Sequence, residues 1–121
     1  MDFLLLIALA FWLVSITFMQ KRGNVHDMSL EQVRAEISMV DAAIIRLIAK
    51  RQELAKQVAE IKIREGMPIH DGKRTAVVLE SVSRQAVDST IDPVAVRKIF
   101  GILIAMSEER QKECSGGGNL P

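Results

Sequence analysis

Tyrosine is missing from this chain, tryptophan occurs once and phenylalanine four times. So few aromatics argue against a sheet sandwich. The Ala, Ile, Leu, Val, Glu, Lys and Arg that dominate instead are the composition of packed helices. Cysteine is almost absent too. Cys114 has no partner for an internal disulfide or a cysteine metal site, and it sits in a polar stretch, so it is incidental. Charge of one sign is also lacking: the formal net charge is +1. No global field draws the chain to nucleic acid, and any positive site must be local. The two histidines, His26 and His70, each lie next to an aspartate, and without further ligands at metal spacing they read as surface residues rather than a zinc site. There is no glycine-rich phosphate loop, and neither a cofactor nor a metal is expected.

What is present divides into zones. Residues 3–19 are an apolar run broken only by Ser15 and Thr17. As a helix the run would span roughly 25 Å, slightly short of a ~30 Å hydrocarbon core. Its start, Met1-Asp2, is not the basic start of a secretory signal, and Lys21-Arg22 behind it favours keeping the following chain in the cytoplasm. Residues 1–22 therefore read as an N-terminal hydrophobic helix anchoring a cytoplasmic domain to the inner face of the membrane. A cleaved signal and a true start at Met28 are the other readings. Residues 23–28 are a polar linker, residues 29–112 the working domain and residues 113–121 a disordered tail. With 121 residues, one small domain plus appendages is all the chain allows.

The domain reads as three helices. Ser29 caps the first, with Gln32 three residues on to close a capping box. Leu30, Val33, Ile37, Val40, Ile44, Leu47, Leu54, Val58 and Ile61 follow at alternating intervals of three and four, a heptad seam with no glycine or proline until Gly66 and Pro68. A helix of roughly 50 Å in so small a domain cannot bury that seam by folding back once. A second copy of the chain is the expected partner. Asp71 caps a second helix with apolar positions Val78, Leu79, Val82 and Ala86; Asp92 and Pro93 start a third, whose face runs Val96, Phe100, Leu103 or Ile104, Ser107 and Gln111.

Certain residues are wrong for plain packing. The seam position between Leu47 and Leu54 is Arg51, and a guanidinium at a helix interface is costly unless an anion meets it. Lys62, eleven residues later, projects within about 20° of the same side, roughly 16 Å along the axis. The pair suits a small-anion pocket. Equally, Arg51 pairs with a carboxylate elsewhere and Lys62 snorkels to solvent. Arg34 lies about 100° around and about 25 Å away along the helix, so it cannot share a compact site with them in one chain. A surface arginine is its simpler reading, although a crossed second copy brings it into reach of the partner's site. Lys73 and Arg74 oppose the dipole of the second helix. Ser107 and Gln111 continue an apolar stripe with groups that need hydrogen-bonding partners. Cations, a serine and a glutamine with no nucleophile–base pair suit binding a dicarboxylate and stabilising charge, not hydrolysis.

In register over Leu30 to Gln111, this pattern resembles the all-α chorismate mutases of the AroQ class. Leu30-Glu31-Gln32-Val33-Arg34-Ala35-Glu36-Ile37 looks like their opening and Leu47-Ile48-Ala49-Lys50-Arg51-Gln52-Glu53-Leu54-Ala55 like their central signature. Lys62, Pro68-Ile69-His70-Asp71, Arg74, Ser107 and Gln111 follow in family order. The resemblance implies a three-helix chorismate mutase type II fold, an intertwined homodimer with a long first helix, and rearrangement of chorismate to prephenate without a cofactor. It further implies Arg51 in cis and Arg34 from the partner on the substrate carboxylates, and Lys62 and Gln111 on the ether oxygen. Asp71 and Arg74 would lie near the ring hydroxyl, and Ser107 would contact a carboxylate. Where the family commonly has glutamate after the second-helix arginine this chain has Thr75, so recognition of the hydroxyl is expected to differ. The competing functions are an isochorismate–pyruvate lyase, which shares this fold, and a non-catalytic, membrane-tethered dicarboxylate-binding module.

Overall fold

A reciprocal pair of hydrogen bonds opens the first long helix: the Ser29 amide donates to Oε1 of Gln32 at 2.7 Å and the Gln32 amide to Oγ of Ser29 at 3.1 Å. This is the capping box expected from the sequence, and it satisfies two amide donors that a helix start leaves unpaired. The computed structural model describes residues 25–116. The apolar run at residues 3–19 and the end of the tail, residues 117–121, lie outside them. Among the described residues the secondary structure is wholly helical: a short 3-10 turn, Val25–Asp27, then α1 (Leu30–Glu65), α2 (Gly72–Asp88) and α3 (Pro93–Cys114). No helix among them is long and apolar enough to cross a membrane. The last helix runs through Cys114, two residues past Lys112, where the sequence reading ended the domain.

Two compact units divide the chain after Ala42. In the first, the 3-10 turn and the start of α1 leave Leu30, Ile37 and Val40 more than half exposed. The second unit contains the remainder of α1 together with α2 and α3, and α2 packs against α3. Arg97 on α3 ties the two helices, reaching Oγ of Ser83 at 3.2 Å on α2.

The core of this unit is built from small side chains. Ala55 and Ala59, one turn apart on α1, are buried, as are Val82 and Ala86 on α2 and Gln111 on α3. The faces expected for α2 and α3 are the ones turned inward, with Val78, Leu79, Val96, Phe100, Leu103, Ile104 and Ser107 half-buried around them. The heptad seam of α1 behaves differently. Ile44, Leu47, Leu54, Val58 and Ile61 all stay exposed, Leu47 by 70%. The chain's own contacts instead use a line one residue over, Ile48, Gln52, Ala55, Ala59 and Lys62, with Arg51 at its edge. Alanines at i and i+4 leave room along that line for side chains of the other helices, which the bulky seam does not.

The turns are specified locally. After α1 the Gly66 amide donates to the Ile63 carbonyl at 3.3 Å and the Met67 amide to the Lys62 carbonyl at 2.8 Å, with Gly66 at φ +66°. This Schellman arrangement needs a left-handed residue, which glycine adopts without strain. The same pattern closes α2, where the Thr90 amide donates to Val87 and the Ile91 amide to Ala86. There the left-handed position is Thr90, at φ +59°, a β-branched residue in an unfavourable region. Asp71 and Asp92 cap the next two helices through their carboxylates, accepting from the amides of Arg74 and Val94 at 3.0 Å each.

Candidate active site

The Schellman turn sends the chain back past the end of α1 and delivers the Ile69 carbonyl to Lys62, whose Nζ donates to it at 2.6 Å. From α3, Oε1 of Gln111 takes a second bond from the same ammonium at 2.9 Å. An ammonium only donates, so this contact orients the buried Gln111 amide with its oxygen toward Lys62. Its Nε2 makes no hydrogen bond among the described residues and remains a free donor. Lys62 has a third N–H, also unused. The two elements therefore present two adjacent donors, one cationic and one neutral.

Toward the middle of α1, Arg51 is held by α3: Nη1 donates to the Leu103 carbonyl at 2.9 Å and to the Ser107 hydroxyl. Ser107 in turn donates to the Leu103 carbonyl at 3.0 Å, so its proton is committed and its oxygen faces the guanidinium. Burial, and secondly the positive charge of Arg74, lower the Arg51 pKa from its ordinary value. Among the described residues Arg51, Lys62 and Arg74 form no ion pair with a carboxylate. Arg51 and Lys62 are half-buried and Arg74 is exposed, and cations held near one another with no direct ion pair form a site whose electrostatic cost falls when an anion enters.

These groups line one cavity of about 380 Å³ within the second unit. Leu54, Ala55, Val58, Val78 and Ile104 make its apolar walls, and Arg51, Lys62, Asp71, Arg74, Ser107 and Gln111 its polar lining. Six of the seven residues expected from the sequence are thus brought together. The seventh, Arg34, is not part of this lining and belongs to the first unit. The reading in which Arg51 meets a carboxylate of its own chain is not what the structure shows, and Lys62 turns to the protein rather than to solvent. Two further polar residues complete the lining, Thr75 and Glu108. Thr75 was legible only as a departure from a pattern. Glu108 shares the helical line Ile104–Glu108–Gln111, but a glutamate near a helix end normally faces solvent, so that line alone does not mark it as a cavity residue. His70, read as a surface residue, is exposed and bonds Glu108 at 2.9 Å.

The sequence pattern of the chorismate mutase type II family matches residues 33–112, most of the chain. The chain belongs to the chorismate mutase type II family. Among its relatives is the chorismate mutase of Methanocaldococcus jannaschii, 37% identical over 84 residues, covering 69% of this chain and 85% of the relative. The bifunctional chorismate mutase/prephenate dehydratase of Buchnera aphidicola subsp. Schizaphis graminum is 31% identical over 80 residues, 66% of this chain but 21% of that enzyme. The chain therefore spans about a fifth of the bifunctional relative and most of the archaeal one. A 4-amino-4-deoxychorismate mutase of Streptomyces pristinaespiralis is 28% identical over 94 residues, 76% of this chain and 73% of the relative. The matched region of the family takes in every residue that lines the cavity, and it takes in Arg34 as well.

Proposed function

We infer that this chain is a chorismate mutase, an isomerase that rearranges chorismate to prephenate on the phenylalanine and tyrosine branch of aromatic biosynthesis. The observation that carries the mechanism is the pair of free donors on Lys62 and Gln111. In this rearrangement a C–O bond breaks as a C–C bond forms within one molecule, and no proton is transferred. Negative charge grows on the ether oxygen as the bond to it lengthens. Donors fixed in advance at that oxygen stabilise the transition state more than the ground state. Lys62 and the Nε2 of Gln111 take that role. Arg51, with its remaining N–H groups, holds a substrate carboxylate beside Ser107, and Arg74 adds positive charge. Gripping both carboxylates while the apolar walls confine the ring selects the compact conformer in which the reacting carbons meet.

The second carboxylate is assigned to Arg34 of a second copy, in a homodimer formed through the exposed seam of α1. Exposed Ile44, Leu47, Leu54, Val58 and Ile61 support this. A continuous apolar stripe of that size marks a surface that meets another chain. Residues 3–19 with Lys21-Arg22 support tethering to a membrane face, which fractionation of the full chain before and after detergent tests. The catalytic reading is tested by adding chorismate to the purified protein and following loss of its diene absorbance, with prephenate converted by acid to phenylpyruvate. Turnover that vanishes in Arg51→Ala is the expected result. A folded dimer with no turnover, or one that releases pyruvate from isochorismate instead, refutes it.

A further inference from the structure

The substrate assigned above offers the cavity acceptors almost everywhere, in two carboxylates and an ether oxygen. Its single hydroxyl donor sits on the ring, and something in the lining has to receive it. Most acceptors in the cavity are already committed. The Ile69 carbonyl and Oε1 of Gln111 are taken by Lys62. Oδ1 of Asp71 caps α2 by accepting from the Arg74 amide at 3.0 Å; its Oδ2 has no partner among the described residues, but Asp71 is an exposed residue at the cavity edge. Thr75 donates its one hydroxyl proton to the Asp71 carbonyl at 3.1 Å, which leaves only a neutral oxygen. Glu108 is different. Its side chain is 24% exposed, it lines the cavity, and Oε1 takes a bond from Nδ1 of His70 at 2.9 Å. Its Oε2 has no partner among the described residues, and its place on the α3 line with Ile104 and Gln111 sets it on the same wall as the catalytic amide.

We propose that Glu108 is a specificity-determining residue whose free carboxylate oxygen accepts the hydrogen bond of the substrate's ring hydroxyl. The proposal rests on the mutase reading and deepens it by naming what recognises the ring substituent. In a cavity whose cations Arg51, Lys62 and Arg74 attract anions, an acceptor-only carboxylate requires a donor at that ring position. It disfavours a ring that carries hydrogen there. The contact is present in both ground and transition states, so it acts on KM more than on kcat.

The test compares the full-length protein with Glu108→Gln and Glu108→Ala on two substrates, chorismate and the analogue with hydrogen in place of the ring hydroxyl. Circular dichroism confirms that each variant is helical. A hydrogen bond to a charged group corresponds to about a tenfold to hundredfold change in an equilibrium constant. Glu108→Ala is therefore expected to raise KM for chorismate by about that factor, with kcat changed less than about threefold. The isosteric Glu108→Gln should fall between. On the analogue, the same substitutions should shift KM by less than about twofold. Equal losses on both substrates, or an unchanged KM for chorismate, would overturn the assignment. If the parent protein binds chorismate without turning it over, the mutase reading fails separately. The same comparison, read as dissociation constants by calorimetry, then decides the role of Glu108.

Discussion

Gln111→Glu changes one atom at the centre of the site, and its consequence can be worked from the geometry. The Gln111 oxygen lies 2.9 Å from Nζ of Lys62, and its Nε2 is the free donor. An ionised carboxylate there has no donor to offer, and it sets a negative charge beside the oxygen on which negative charge must grow. Only the protonated acid restores an O–H. A glutamate ordinarily titrates near pH 4.3, so at pH 7.3 about one molecule in a thousand is protonated. The expected loss in kcat/KM is then about a thousandfold, or ~4 kcal/mol, similar to the ~2.7–4 kcal/mol typical of removing one such donor. The sign with pH follows: the rate should rise about tenfold for each unit the pH falls between 7 and 5, as the acid form is populated. The parent enzyme, with a glutamine that does not titrate, should be nearly flat over the same range. Diene absorbance followed at fixed ionic strength in overlapping buffers measures both profiles. A variant within about threefold of the parent at pH 7.3, or one whose rate falls on acidification, would refute the assignment of Gln111 Nε2 to the ether oxygen.

Lys62→Ala removes the cationic donor and should lower kcat/KM by about 3–4 kcal/mol, some hundredfold to a thousandfold, in the same assay. Ile44→Glu places a charge in the exposed seam of α1. It should convert a dimer into monomers by analytical ultracentrifugation and abolish turnover, whereas an active monomer would rule out a site completed by Arg34 of a second copy. Thr90→Gly relieves a left-handed φ on a β-branched residue. The strain relieved, about 1–2 kcal/mol, exceeds the added unfolded-state entropy of glycine, so thermal unfolding should show a net gain of roughly 0.5–1 kcal/mol.

Local signals carried far in this chain because helices and their ends are local objects. Ser29 with Gln32, Asp71, Asp92 with Pro93, and Gly66 each act through bonds within five residues, so caps and turns could be placed before any packing was known. The position of Thr90 could not. Nothing in its side chain announces a left-handed turn, and it adopts one because α2 has to end and α3 begin within a few residues. Arg51, Lys62, Ser107 and Gln111 were legible because a polar group on an apolar helical line is conspicuous by its period, whereas Asp71 and Arg74 joined the expected site only through the family resemblance. Glu108 was not legible, because a glutamate near a helix end normally faces solvent, and only packing shows that this one borders a cavity.

By itself, then, the sequence determined that the domain is helical, where each helix starts, and which cations stand where packing alone would not place them. Helical period and end chemistry depend on residues at most a turn or so apart, and a sequence displays those directly. The tertiary structure decided which face of α1 its own chain uses, since alanines at 55 and 59 leave room for side chains of the other helices and the bulkier seam is left exposed. It also decided how Lys62 is oriented, by bringing the carbonyl of Ile69 and the amide of Gln111 to the same ammonium from different parts of the chain. Contacts between residues 49 or more positions apart depend on how helices approach one another, and it is that approach, not any local signal, that turns scattered polar residues into a site.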